Sequence, residues 1–252
     1  MMDFFNFTLN HQQMYVLVIV GILVGMAKTG IHGAGMVAVP LLAIGFGGRT
    51  SSGIMLPILI LGDFMAVYHY QRYAKWEHLN RVLPFAFVGV LLGAYVGIFI
   101  DDVVFRQLMA SIIFLSTGIM VFNEGYRSQM ILQNWLLIAV LGIAAGFTTM
   151  VGNLAGSVMA VYLLSLNLRK NQFIGTAAWF FLIINLAKVP FHVYSWETIT
   201  WSSLILDSLV LPFIAFGSFL GTQIVKRIPE KIYRFFIIFM TILAALIMMF
   251  QS

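Results

Sequence analysis

The chain has 252 residues, of which 61% are hydrophobic and only 9% are charged. Ordinary soluble domains carry about a quarter charged residues, so a soluble globular domain is excluded, because so few charges cannot cover its surface. The formal charge of +5 sits mostly on loop lysines and arginines and reads as orientation in a bilayer rather than nucleic-acid binding, and the lack of cysteine excludes disulfide and thiol chemistry.

In chain order, the opening MMDFFNFTLNHQQ holds no Lys or Arg and so lacks the basic start of a cleaved signal peptide. Residues 12–47 then hold one charge, Lys28, inside the glycine-rich GMAKTGIHGAG of 25–35. Spans are predicted at about 51–69, 82–100 and 107–123, followed by a linker at about 124–134. Residues 128–168 carry no charge. As one helix they would run about 60 Å, about twice a bilayer core, so the stretch must fold back at its glycine-rich middle, 142–156. Its arms, roughly 14–18 residues each, have a re-entrant rather than a spanning length. Residues 12–47 read the same way, with GMAKTGIHGAG at the bend. Three more spans are predicted at about 172–190, 204–225 and 235–250.

The two halves resemble each other. Gly21, Gly25 and Gly35 fall on Gly142, Gly146 and Gly156 at an offset of 121, which also sets His32 on Asn153. With one shift Asp63 falls on Asn185, and at an offset of 128 Leu83-Pro84-Phe85 falls on Leu211-Pro212-Phe213. If each hairpin returns to the side it entered, ten Lys and Arg collect on one membrane side and only Arg49 and Arg106 on the other. Cytoplasmic loops carry that excess, so both termini are expected outside. The expected fold is an all-α polytopic membrane protein, a single transmembrane domain over 1–252. It has two inverted-topology repeats, at about 12–123 and 135–250, each a re-entrant broken-helix hairpin followed by three spanning helices.

The hairpin tips carry the candidate chemistry. Lys28, Thr29, Gly30, His32, Gly33 and Gly35 belong to the first, and Thr148, Thr149, Gly152, Asn153 and Gly156 to the second. A helix N-terminus with glycine-permitted close approach, beside hydroxyl, amide and cationic donors, suits an anion. The structural alternative for the glycines is close helix packing. Lys28 reads as an anion ligand, a snorkelling cation or the partner of Asp63, and Lys188 as a site residue or a snorkelling one. Asp63, mid-run on a predicted span, reads as an ion-pair member or a proton carrier, with Asn185 at the matching place in the other half. Asp207 and Trp196 are expected at the membrane interface. Scattered histidines give no metal or haem spacing, and no cofactor is expected.

These residues give the chain its likeness to a known family. GMAKTGIHGAGMVAVPLL (25–42), GFTTMVGNLAGSVMAVYLL (146–164) and NQFIGTAAWFFLIINLAK (171–188), in this order and spacing, resemble the sulfite exporter TauE/SafE family of membrane permeases. The resemblance implies transport of small anions, chiefly sulfur-containing ones such as sulfite or organosulfonates, across a bacterial-type inner membrane. It carries a site role onto Lys28, Thr29, Gly33, Gly35, Gly152, Asn153 and Gly156. The second tip departs from the first at Thr148–Val151, which holds no cation. The leading expectation is a secondary transporter that binds a small anion between the tips at the midplane and works by alternating access. Proton coupling through Asp63 or His32 is secondary to it, and an oligomer is compatible with it. A passive anion channel on the same scaffold, or a non-transporting accessory subunit or enzyme, stands as the alternative.

Overall fold

A computed structural model describes residues 2–4, 7–31, 34–101, 103–104, 107, 111, 134–230, 232–233, 235–237 and 239. The predicted spans at 107–123 and 235–250 and the linker fall largely outside these residues. The fold is helical. It opens on one short antiparallel pair, β1 (Met2–Phe4) and β2 (Phe7–Leu9), with Phe4 opposite Phe7. Strands of three residues are too short to leave an alternation in the sequence.

Among the described residues eight α-helices follow: α1 (His11–Lys28), α2 (Ala34–Phe46), α3 (Gly48–Tyr70), α4 (Trp76–Phe99), α5 (Trp135–Gly152), α6 (Ala155–Ser165), α7 (Lys170–Pro190) and α8 (Trp201–Arg227). Among the described residues six segments are long and apolar enough to cross a membrane: His11–Lys28, Thr50–Tyr73, Trp76–Phe99, Trp135–Gly152, Lys170–Ser195 and Trp201–Arg227. The chain is a multi-pass membrane protein.

Both expected helix breaks are present. At the first, Gly30 takes φ 120°, a conformation open to glycine, and Ile31 N–H donates to Met26 O at 3.0 Å. The Gln13 side chain, near the start of α1, donates to Gly45 O near the end of α2 at 3.0 Å. Helix α2 therefore runs back along α1. At the second break Asn153 takes the left-handed conformation at φ 58°, and Leu154 N–H donates to Thr148 O at 3.2 Å. The first arms, α1 and α5, have 18 residues each, about 27 Å at 1.5 Å per residue, and the second arms have 13 and 11.

Glycines set the main helix contacts, and they do so twice. A Cβ on Gly21 would press on Val210 and Phe213, and one on Gly142 would press on Val82 and Phe85. One on Gly25 would meet Ile214 O and Ser218 N, and one on Gly146 would meet Ala86 O and Val90 N. From the other side, Gly217 abuts Ile22 and Gly221 abuts Met26 and Thr29, while Gly89 abuts Ile143 and Gly93 abuts Phe147 and Met150. Each of these glycine contacts between α1 and α8 recurs between α5 and α4 at offsets of 121 and 128. The small residues are there so that backbones can approach. Along both interfaces the numbers rise together, so α1 runs parallel to α8, and α5 to α4. The Tyr162 hydroxyl donates to His78 O, at the start of α4, at 3.0 Å. Helix α6 thus returns along α5.

Helices α3 and α7 run in opposite directions. Gly53 abuts Thr198 just beyond α7, Asp63 meets Asn185 mid-helix, and Lys75 N–H donates to Thr176 Oγ1 at 3.0 Å. Two residues expected at the interface are enclosed by the protein. Trp196 is only 6% exposed, its indole N–H donates to Ala94 O at 3.2 Å, and its ring lies where a side chain at Gly97 would stand. Asp207 is 2% exposed, and neither carboxylate oxygen has a hydrogen-bond partner among the described residues. Asp207 stands on the buried face of α8 with Leu206, Val210 and Ile214, and Trp196, in the bend beyond α7, folds against α4.

Candidate functional site

The antiparallel pair α3 and α7 brings the polar residues of the apolar interior together. Asp63 lies mid-way along α3, fully buried. Its Oδ2 accepts a hydrogen bond from Asn185 Nδ2 at 2.7 Å. The ammonium of Lys28, at the end of α1, stands 2.8 Å from Asp63 Oδ1, an ion-pair contact not aligned as a hydrogen bond. It also lies 4.4 Å over the centroid of the Phe181 ring, a favourable cation–π position. A carboxylate alone in this interior would be strongly disfavoured, and the lysine and the amide compensate it.

Lys188 completes the arrangement. It is fully buried, and its Nζ reaches Asn153 Oδ1 at 2.5 Å, Asn185 Oδ1 at 3.1 Å and Thr149 Oγ1 at 3.2 Å. Asn153 Nδ2 in turn donates to Ser52 O and Ser52 Oγ, each at 3.3 Å. A continuous polar chain thus runs from Lys28 at the first helix break through Asp63, Asn185 and Lys188 to Asn153 at the second. Local sequence explains the convergence. Phe181, Asn185 and Lys188 stand four and three residues apart on α7 and share one face, as Thr149 and Asn153 do at the end of α5. Neither lysine snorkels: the Lys28 side chain is 11% exposed and Lys188 not at all.

Of the predicted residues, Lys28, Asp63, Thr149, Asn153, Asn185 and Lys188 meet here. Others point elsewhere. Thr29 is buried against Gly221, and its hydroxyl donates to Gly25 O at 2.9 Å. Gly30 sits beside Ile174 and Val225, with its carbonyl accepting from the Tyr233 hydroxyl at 2.9 Å. The Thr148 hydroxyl donates within its own helix, to Ala145 O. Gly35 packs on Ala27, Gly152 is buried beside Asn153, and Gly156 has open space where a Cβ would stand. His32 and Gly33 lie outside the described residues. Sequence reasoning missed Ser52 and Phe181. Phe181 was findable from its place one turn before Asn185, whereas Ser52 has no counterpart signal in the other half.

Among the described residues, no group of three or more His, Cys, Asp or Glu side chains forms a metal-binding cluster. What the arrangement offers is two amines and one carboxylate in a buried setting, flanked by amides and hydroxyls from both halves of the chain.

No curated protein matches the chain, and no solved structure does. A family model described as sulfite exporter TauE/SafE matches residues 17–248, nearly the whole chain, so that both helix breaks and all six meeting residues lie inside the match. The chain belongs to the sulfite exporter TauE/SafE family, a family of membrane transporters and not of enzymes.

Proposed function

We propose that the protein is a secondary transporter of a small anion, a sulfur oxyanion or organosulfonate, which binds where the two hairpin tips face each other. The observation that carries this reading is the meeting of Lys28 and Lys188, drawn from different halves, around Asp63 and Asn185 in the buried interior. With both amines protonated, two ammonium groups stand against one carboxylate, and an anion supplies the missing negative charge. Family membership supports sulfur chemistry for the cargo.

Two repeats of opposite orientation, over about 12–123 and 135–250, form the moving parts. The antiparallel run of α3 against α7 and the doubled glycine interfaces support that reading. Each tip sits on a hairpin that enters and leaves by one face, from opposite sides. Rocking one repeat against the other then opens the polar chain to each side in turn. The bias of Lys and Arg toward one side supports a bacterial-type inner membrane with both termini outside.

The test is flux in proteoliposomes with sulfite, thiosulfate, sulfate, methanesulfonate, taurine and carboxylates. Saturable uptake of a sulfur anion, lost in Lys28→Ala and Lys188→Ala, is expected. Equal uptake of every anion without saturation would instead make the protein a passive channel, and absence of any flux would sink the transport reading.

A further inference from the structure

We infer that Lys188 carries a coupling proton, binding it together with the anion and releasing it when the anion leaves. The inference rests on the anion-site reading above and adds the identity of the coupled ion and of its carrier.

The argument begins with the charges. Lys28 has a counter-ion in Asp63. Lys188 has none of its own: its three hydrogen-bond partners, Thr149, Asn153 and Asn185, are all neutral, and it is fully buried. A buried ammonium without a counter-charge is strongly disfavoured, and lysine, unlike arginine, relieves this by giving up its proton. Asp63 makes a poor carrier by comparison. It is held by Lys28 on one oxygen and Asn185 on the other, and protonating it would strand Lys28.

The partners of Lys188 accept either protonation state without rearranging. Asn185 spends its Nδ2 on Asp63 and Asn153 spends its Nδ2 on Ser52, so both amide oxygens must face the amine. An ammonium donates to both oxygens and to the Thr149 hydroxyl. A neutral amine donates to the two amides and accepts from the same hydroxyl, which only has to rotate. The other titratable groups facing Lys188 are Lys28 from α1, Asp63 from α3 and His192 just beyond α7. His69 is exposed near the far end of α3. Those at the end of α3, in the turn after it and at the start of α4, Tyr70, Arg72, Tyr73, Lys75, Glu77, His78 and Arg81, gather around Gly175 and Thr176, about 18 Å along α7 from Lys188. Helices α5 and α6 add only Tyr162, which is bonded to His78 O at that far end.

The step balances. A hydronium ion in the adjoining water loses one O–H bond and becomes water, and its proton forms an N–H bond on the Lys188 amine as the anion arrives, giving an ammonium–anion pair. When the anion leaves on the other side the same bond breaks and the proton follows. A monovalent anion and one proton cross as an electrically silent pair.

Calorimetry on the purified full-length protein tests this. Methanesulfonate, which has no titrating proton near neutral pH, is bound in two buffers of different ionisation enthalpy at one pH. The difference in heat counts protons taken up per anion. About one is expected for the wild type and for Lys28→Arg, and none for Lys188→Arg, whose guanidinium is always charged. Wild-type binding with no uptake overturns the inference and leaves the anion site standing, and this measurement needs no variant to fold. Undiminished uptake in Lys188→Arg also overturns it. If neither methanesulfonate, sulfite nor thiosulfate binds, the anion-site reading fails and takes this inference with it.

Discussion

Asn185 donates a 2.7 Å hydrogen bond to Asp63, and the two stand at matching positions in the two halves of the chain. Where matching positions touch, the halves meet around that contact. The one difference between the partners, an amide against a carboxylate, puts the negative charge in the first half, where Lys28 meets it.

That asymmetry predicts a stability pattern. Asp63→Ala leaves the Lys28 ammonium uncompensated in the interior and is expected to cost about 3–5 kcal/mol. The double variant Lys28→Met/Asp63→Leu removes both charges and should recover most of the loss. Thermal unfolding of the purified protein in detergent reads this directly. A double variant as unstable as Asp63→Ala contradicts it.

The doubled glycine interface makes a second prediction. In Gly25→Ala and Gly146→Ala the new methyl meets backbone atoms of the facing helix, which cannot swing aside. Each should destabilise by about 1–3 kcal/mol, and by similar amounts, because the surroundings are alike. Gly156→Ala meets no atom within 4 Å, so its stability should stay within about 0.5 kcal/mol of the wild type. A fall in anion flux with unchanged melting temperature would mark Gly156 as a place where the anion nears the backbone. A Gly156→Ala melting temperature as low as that of Gly146→Ala contradicts the prediction.

Asp207 keeps two carboxylate oxygens buried without partners among the described residues. The matching position in the first half, 128 residues earlier, is Leu79, which is fully buried. Replacing an unsatisfied buried polar group by an apolar one of similar size removes a penalty of about 1–3 kcal/mol. Asp207→Leu should therefore raise the melting temperature, and a lower one would argue against the unpartnered carboxylate.

Trp196 offers a graded test of burial. Trp196→Phe forfeits the hydrogen bond to Ala94 O and should cost about 0.5–1.5 kcal/mol. Trp196→Ala also empties the space over Gly97 and should cost about 3–5 kcal/mol. Equal losses in the two variants, followed by near-ultraviolet circular dichroism on heating, would show that the ring fills no space.

Much of this protein is legible in its sequence, because much of it depends on local properties. Uncharged runs of membrane length settle the class, and an uncharged stretch twice too long has to bend. Glycine and a short amide mark the bends at Gly30 and Asn153, since few other residues take a positive φ at low cost. Offsets of 121 and 128 are visible in the bare sequence, and the packing repeats them. The pairing of the charges is not local. In the sequence Lys28 reads as a snorkelling cation, an anion ligand or the partner of Asp63, and Lys188 as a site residue or a snorkelling one. Turning a helix by one residue swings a side chain by about 100°, so which of these holds depends on how each helix is rotated about its axis. That rotation is set where glycines let backbones meet, between segments far apart in the chain. The same rotation turned Asp207 inward and brought Ser52 to Asn153 and Phe181 to Lys28. Composition and spacing determined that a polar cluster lies inside a membrane protein, and helix packing alone decided which of its two lysines has a counter-ion.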